Sequence, residues 1–490
     1  MHNKFTRRGF LAATAAMAAS TTLPSFAFGQ TAPLSLTATT RVLDIDGRAA
    51  TVYGLVNEAG GQGLILDPGQ RFRVDLTNSL DVETIIHWHG QIPPNVQDGV
   101  PDLPMPLLKP GEARSYDYAP MPGTYWMHSH VPVQEMNLLA APLIVRSAED
   151  VASDRQDVVM FLHDFSFSPA AEVLAEITDG MPGHDMSAMG NTAVGGDAMA
   201  GMDHSGMDMS GAGMAMGRMV MDLNDFNFDA YLANDRTLSD PEVIAVETGG
   251  RIRLRVVNAA AATVFWIETG DVPARLVAVD GHAIVPRSGN RFGVAMAQRL
   301  DIEIDLPGAG AFPVLALREG ARERTGIILA TNGAKVRKID GMAQAEAPAF
   351  DTDMAQELQL QAANPLTARK ADRAQMIMLA GAMKPYVWTI DGQTWDTHIP
   401  IAAASGERVE LMFHNMSMMG HPMHLHGHVF QVVNINGRAV NGAMRDTIYV
   451  PPMAMVTVAL DAGEAARWML HCHHMPHLST GMMTEFAVSA

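Results

Sequence analysis

Over residues 36–145 apolar and polar residues read as short alternating strands, broken by Gly, Pro and Asp. Arg71-Phe72-Arg73-Val74-Asp75-Leu76-Thr77 and Gly123-Thr124-Tyr125-Trp126-Met127-His128 are examples. Alternation sorts side chains onto opposite faces of a strand, and helical periodicity is scarce, so the pattern predicts an all-β sandwich or barrel. One turn-plus-strand unit recurs. Gly69-x-Arg71-Phe72-x-Val74-x-x-x-Asn78 returns as Gly249-x-Arg251-Ile252-x-Leu254-x-x-x-Asn258 and again as Gly406-x-Arg408-Val409-x-Leu411-x-x-x-Asn415. Three matches at the same offsets predict three consecutive copies of one β-domain. The expected divisions are residues 30–147, 154–335 and 375–490, with a polar, Ala/Gln-rich connector over 336–374 that has room for a short helix.

The repeat also aligns the residues that carry chemistry. His87 and His89 fall nine and eleven positions after Asn78, and His424 and His426 fall at the same offsets from Asn415. The middle copy has Ile267 and Thr269 there, so it is expected to lack the metal and to act as a spacer. His128-Ser129-His130 mirrors His471-Cys472-His473, each directly after a Trp-Met pair. In a strand, H-x-H points both rings to one face, while Cys472 points to the other. One short strand can therefore serve two metal centres back to back. Cys472, the only cysteine, is followed by His477 and Met482. Thiolate, imidazole and thioether, with one further imidazole, make the trigonal His/His/Cys set with a weak axial Met that suits copper; thioether is not a usual zinc ligand, which disfavours a zinc hydrolase.

These four histidine motifs resemble, in order and spacing, the copper signatures of the multicopper oxidases, the family of laccases, ascorbate oxidase and the bacterial copper-efflux and copper-resistance oxidases. The resemblance implies three cupredoxin-like domains and four copper ions. It implies a type 1 copper on His421, Cys472, His477 and axial Met482, near the surface, and a type 2 copper on His87 and His424. A type 3 pair would lie on His89, His128, His130, His426, His471 and His473. It implies one-electron oxidation of a reductant coupled to reduction of O2 to water, with Cys472 passing electrons to its neighbours and Asp98 as an acid near the cluster. Met418 and Met419 stand where copper-efflux oxidases place a substrate-copper Met. The chain departs from the pattern at Ser417, where an acidic substrate ligand is expected, and at Leu478, where many relatives have Glu. Cu(I) is the expected reductant, with a phenol or other small organic molecule as the alternative. The intact ligand set argues against a copper-sequestering protein without activity, and against a copper-free relative of the same fold.

Composition adds compartment and substrate. A net charge of −19 disfavours nucleic acid as a partner. Thr6-Arg7-Arg8-Gly9-Phe10-Leu11 has the twin-arginine form, so residues 1–29 read as a signal segment for export to the periplasm. The apolar stretch behind it is too short to anchor the chain in a bilayer. With one cysteine, no internal disulfide is possible, and a monomer held by core burial and bound metal is expected. Residues 181–221, inside the second copy, hold eleven of the 36 methionines among Gly, Ala, Asp and Ser. Such a segment has no apolar face to bury, and thioethers select Cu(I), so it is expected to capture copper.

Overall fold

The computed structural model describes residues 32–178 and 223–490; the expected signal segment and the Met-rich residues 181–221 lie outside the described residues. The three repeat motifs form the strands Phe72–Asn78, Arg251–Asn258 and Arg408–Asn415. Each pairs in parallel with an earlier strand of its own copy, in the same register, with Ala38 opposite Asn78, Leu162 opposite Asn258 and Leu379 opposite Asn415. The terminal Asn explains why the motif recurs. Its side chain is fully buried in every copy. Asn78 Nδ2 donates to the Val82 and Leu108 carbonyls while Oδ1 accepts from Leu80 N. Asn258 does the same with Thr263, Val294 and Ala260. Asn415 does so with Met419, Val450 and Ser417. A buried amide that satisfies three backbone groups pins the loop leaving the strand, and in the outer copies that loop leads to the H-x-H pair.

Each copy is a pair of sheets. The first pairs the order Arg48–Asn57, Leu34–Ile45, Phe72–Asn78, Ala113–Tyr118 with Leu64–Leu66, Ala140–Val145, Gly123–Ser129, Ile86–His89. The second has sheets of six and five strands centred on Arg251–Asn258 and Ala311–Arg318, and the third has sheets of seven and five strands. In the third, Arg467–Cys472 lies between His421–Leu425 and Met483–Ser489. Three apolar cores fill the three sandwiches, around Phe72, Trp88 and Met127, around Ile252, Phe265 and Ile302, and around Phe413, Val456 and Trp468. The all-β expectation holds. The connector's helical element is the 3-10 turn Glu357–Gln359. No helix of the described residues is long and apolar enough to cross a membrane.

The middle copy is more than the expected spacer. Its strand Arg299–Asp305 reaches the third copy through Arg299, whose guanidinium donates to both oxygens of Asp446. Asp280 accepts from Arg299 N and from Arg445 Nη1, each at 2.9 Å, and Arg445 Nη2 donates to Glu357 Oε2 at 2.8 Å. All five side chains are buried. A buried ion network of this kind adds little net stability but makes any single deletion expensive, because a partner charge is left behind.

Two outcomes follow from this packing. Asn258→Ala leaves two carbonyls and an amide unpaired in the copy that carries no H-x-H pair. It is expected to lower stability by about 3 kcal/mol, read from urea unfolding. His163 is fully buried and donates from Nδ1 to the Ala259 carbonyl; burial pushes it down from the ordinary 6.5 to about 4. The folded protein therefore binds fewer protons than the unfolded chain between these values. Stability is lost as pH falls from 6.5 toward 4. Relative to His163→Gln, the native protein should lose about 1.4 kcal/mol per pH unit in that window.

Candidate metal centres

Strand register decides which side chains meet. Met423 lies opposite Cys472, and His424 lies opposite His471. Cross-strand partners share a face, so His421 and Cys472 fall on one side while His424, His426, His471 and His473 fall on the other. In the first copy, His87 lies opposite His128 and Ile86 opposite Ser129. Ser129 occupies the place of Cys472, but its hydroxyl donates to Gln134 Oε1, which also accepts from Thr84 Oγ1. A closed polar network fills the position where the third copy has its thiol. Gly99 makes the approach between loop and strand possible: it adopts φ +89°, and a Cβ there would meet the Ile86 carbonyl oxygen at 2.0 Å.

Cys472 Sγ lies 3.7 Å from His421 Nδ1 and 3.6 Å from His477 Nδ1, and these two nitrogens are 3.2 Å apart. Met482 is fully buried and is tied to the same pair through backbone bonds, donating to the His477 carbonyl and accepting from Cys472 N, both at 3.0 Å. The outer nitrogens face other groups. His421 Nε2 is 2.8 Å from Ser417 Oγ, and His477 Nε2 is 3.7 Å from Asp225 Oδ2. Trp388 and His474 cover the His477 ring, at centroid distances of 4.1 and 3.9 Å.

On the opposite face, eight imidazoles from the first and third copies converge. Three sets have ligand atoms within 4.8 Å of one another: His87, His89 and His424; His89, His128 and His473; and His130, His426 and His471. Outward acceptors set the tautomers. His87 Nδ1 donates to the Asp98 carbonyl at 2.8 Å, and His424 Nδ1 to the Asp446 carbonyl at 2.9 Å. His426 Nδ1 donates to Asp98 Oδ2 at 2.8 Å, and His471 Nδ1 to the Cys472 carbonyl at 3.0 Å. His128 Nδ1 meets Glu135 Oε2 at 2.7 Å, and His89 Nε2 meets Asp446 Oδ1 at 3.2 Å. The second nitrogen of each ring then has only a lone pair, and it points inward. His87 and His424 face each other Nε2 to Nε2 at 3.4 Å, His426 and His471 at 3.1 Å, and His128 and His473 at 3.4 Å.

Two lone pairs facing at such a distance repel unless a proton or a cation lies between them. Burial, reinforced by neighbouring imidazoles, pushes His89, His130, His424, His426 and His473 well below the ordinary imidazole value, and burial takes His421 and His471 to about 3. A second proton on these rings is thereby disfavoured, and a metal cation between the facing nitrogens would complete the site. Burial likewise pushes the Cys472 thiol far above its usual range, so its thiolate needs a cation beside it. Thiolate, imidazole and thioether on one side, with neutral imidazoles alone on the other, fit copper.

Every histidine of the four motifs, with Cys472, is buried and drawn into one of these sets, and Met482, also buried, meets Cys472 and His477 through its backbone. Asp98 lies among them, with Oδ1 3.4 Å from His87 Nδ1 besides its bond to His426. Met419 is buried and lines a cavity of about 10 Å³ with Met296, Glu319 and His474; Met418 is half-buried and does not line it. His421 and His477, expected near the surface, have no exposed side-chain area. Ser417, read from sequence as a lost ligand, holds the outer nitrogen of His421. His474, which the sequence motifs leave without a role, stacks on His477. Asp225, Asp446 and Glu135 were not singled out by sequence. Each reaches its imidazoles from a separate element, and no spacing signals that approach; only Glu135, five residues past His130, stands close in sequence to a motif.

The comparisons with known proteins agree with this geometry. Sequence models described as multicopper oxidase match residues 37–150, 204–334 and 368–490. The chain is 29% identical to the multicopper oxidase MmcO of Mycobacterium tuberculosis, across 93% of this chain and 87% of that one. It is 26% identical to a copper resistance protein A homolog of Pseudomonas syringae pv. tomato, across 91% and 90%. The crystal structure of the 2F4 variant of McoA multicopper oxidase from Aquifex aeolicus shares the fold, with a TM-score of 0.67 at 21% identity, covering 94% of this chain and 97% of that one. With all three copies matched and their donor atoms converging in pairs and triplets, the chain belongs to the multicopper oxidase family.

Proposed function

We propose that this chain is an exported cuprous oxidase that couples oxidation of Cu(I) to reduction of O2 to water and serves copper tolerance in the periplasm as a monomer. The observation that carries the reading is the convergence of Cys472 Sγ, His421 Nδ1 and His477 Nδ1 back to back with the imidazole cluster. In this reading His421, Cys472, His477 and Met482 hold a type 1 copper, His87 and His424 a type 2 copper, and the other six histidines a type 3 pair. Copper bound at these positions would supply one-electron acceptance at the thiolate and multi-electron reduction of O2 at the imidazoles. The chain supplies the geometry. Cys472 is bonded through its backbone to both His471 and His473, so a short covalent path joins the two donor sets. Asp98 is the carboxylate placed to hold a proton at His426 Nδ1, with its second oxygen 3.4 Å from His87 Nδ1 and free to accept another.

Soft donors near the thiolate support Cu(I) over an organic reductant. Met296 and Met419 line the small cavity beside His474, and Leu223, which also lines it, follows the Met-rich residues 181–221 by two positions. Thioethers favour Cu(I) over harder cations. The deep burial of His421 and His477 disfavours direct contact with a bulky phenol.

Oxygen uptake by the copper-loaded protein tests this, with Cu(I) and then a phenol as reductant. Cu(I) turnover well above phenol turnover, and slower Cu(I) turnover once residues 181–221 are deleted, are expected. Fast phenol turnover with Cu(I) ignored would make the protein a laccase-type enzyme. Separately, Asp98→Asn should slow turnover about 100-fold while copper content is kept; unchanged turnover would remove Asp98 from the reaction.

A further inference from the structure

Three carboxylates touch the imidazole cluster, and each faces two rings. Asp98 serves His87 and His426, and Asp446 serves His89 and His424. The third is Glu135. It sits in the short helix Pro132–Met136, just beyond His128-Ser129-His130, and is buried. Glu135 Oε2 lies 2.7 Å from His128 Nδ1, and Oε1 lies 3.7 Å from His473 Nδ1. Oε1 has no hydrogen-bond partner, nor has His473 Nδ1. The carboxylate therefore stands behind two rings from different copies of the domain, on the side away from the cluster. In front of it, His128 Nε2 and His473 Nε2 face each other at 3.4 Å, and His128 Nε2 is 3.3 Å from His89 Nδ1.

We infer that Glu135 is the positioning residue for one copper of the pair, the one held by His89, His128 and His473. At His128 the carboxylate shares Nδ1 with the Ser129 carbonyl, 3.0 Å away, and favours the proton there, leaving the lone pair on Nε2; at His473 it stands 3.7 Å behind Nδ1 and acts through its charge, favouring the same orientation. The other carboxylates cannot take over. Asp446 is already claimed by Arg299, and Asp98 lies behind the opposite rings. The neighbouring Gln134 is occupied by Ser129 and Thr84. The helix that carries Glu135 is braced where His477 is held: Met136 packs against Met475 and Leu478 of the helix Met475–Ser479. Glu135 thus ties the first copy to the third at the metal itself.

The inference rests on the copper assignment proposed above, and the experiment separates the two. Copper per chain and the number of unpaired spins are measured on the oxidised protein under graded chelator. Native protein should hold four copper ions with two spins, because the two ions of a coupled pair cancel. Fewer than four, or no cancellation, would sink the assignment itself. Glu135→Gln keeps the shape and removes the charge. It should lose one ion at a chelator concentration roughly 10- to 100-fold lower, with the spin count rising to three as the partner ion is uncoupled. The blue absorption of the thiolate site should stay. Glu135→Asp keeps the charge at shorter reach and should resist the chelator better than Glu135→Gln. Unchanged retention and spin count in Glu135→Gln, equal loss in both variants, or loss of the blue absorption along with the ion would each overturn the positioning role.

Discussion

Ten imidazoles and a thiol are buried together, faced from outside by the buried carboxylates of Asp98, Glu135, Asp225 and Asp446, and the rest of the molecule is arranged to make that tolerable. An isolated imidazole in an apolar interior must be neutral and must place its N–H on an acceptor. Here the acceptors are backbone carbonyls of Asp98, Asp446 and Cys472 and the carboxylates of Asp98, Asp446 and Glu135, all outside the cluster. Proton positions are set from outside, so lone pairs accumulate inside. The repulsion among them is the binding energy offered to a metal.

Such an arrangement needs several backbones held in fixed relation, and the fold achieves this by repeating one device. A buried Asn at the end of a central strand fixes the loop that follows it in all three copies. In the outer copies the strand after that loop brings His87 and His89, or His424 and His426, to the same place. The first and third copies then meet across the cluster as near mirror partners. Asymmetry enters at one position. Ser129 is sealed into a network with Gln134 and Thr84, whereas Cys472 is met by His421 and His477. A thiol in place of Ser129 would face an amide and a hydroxyl, so substitution alone would not create a second thiolate site.

How much of this is legible without coordinates depends on the range of the interaction. The period-two alternation and the Asn repeat are local, and both predict the strands that form. Which face each histidine takes is also local, since residue parity along a strand decides it. Ser417 against His421, His474 on His477 and the full burial of His421 and His477 are set by how loops fold over a strand end. Glu135, Asp225 and Asp446 belong to a third class. Each reaches imidazoles on other elements, and no spacing encodes such a meeting. An alternating strand pattern tells where a ring points but not what stands behind it.

The middle copy shows where reasoning from ligands alone falls short. With Ile267 and Thr269 in place of the histidine pair, it reads as a spacer. Yet Arg299 from this copy neutralises Asp446, which stands behind His89 and His424. Without that guanidinium, Asp446 would be a buried negative charge with no cation beside it, and its place behind His89 and His424 would be costly to keep. Asp225, from the same copy, stands by His477 Nε2 on the far face of the thiolate site. A domain that adds no side chain to either donor set among the described residues thus reaches both metal positions through one arginine and one aspartate. Carrying no histidine pair does not remove it from the chemistry of its neighbours.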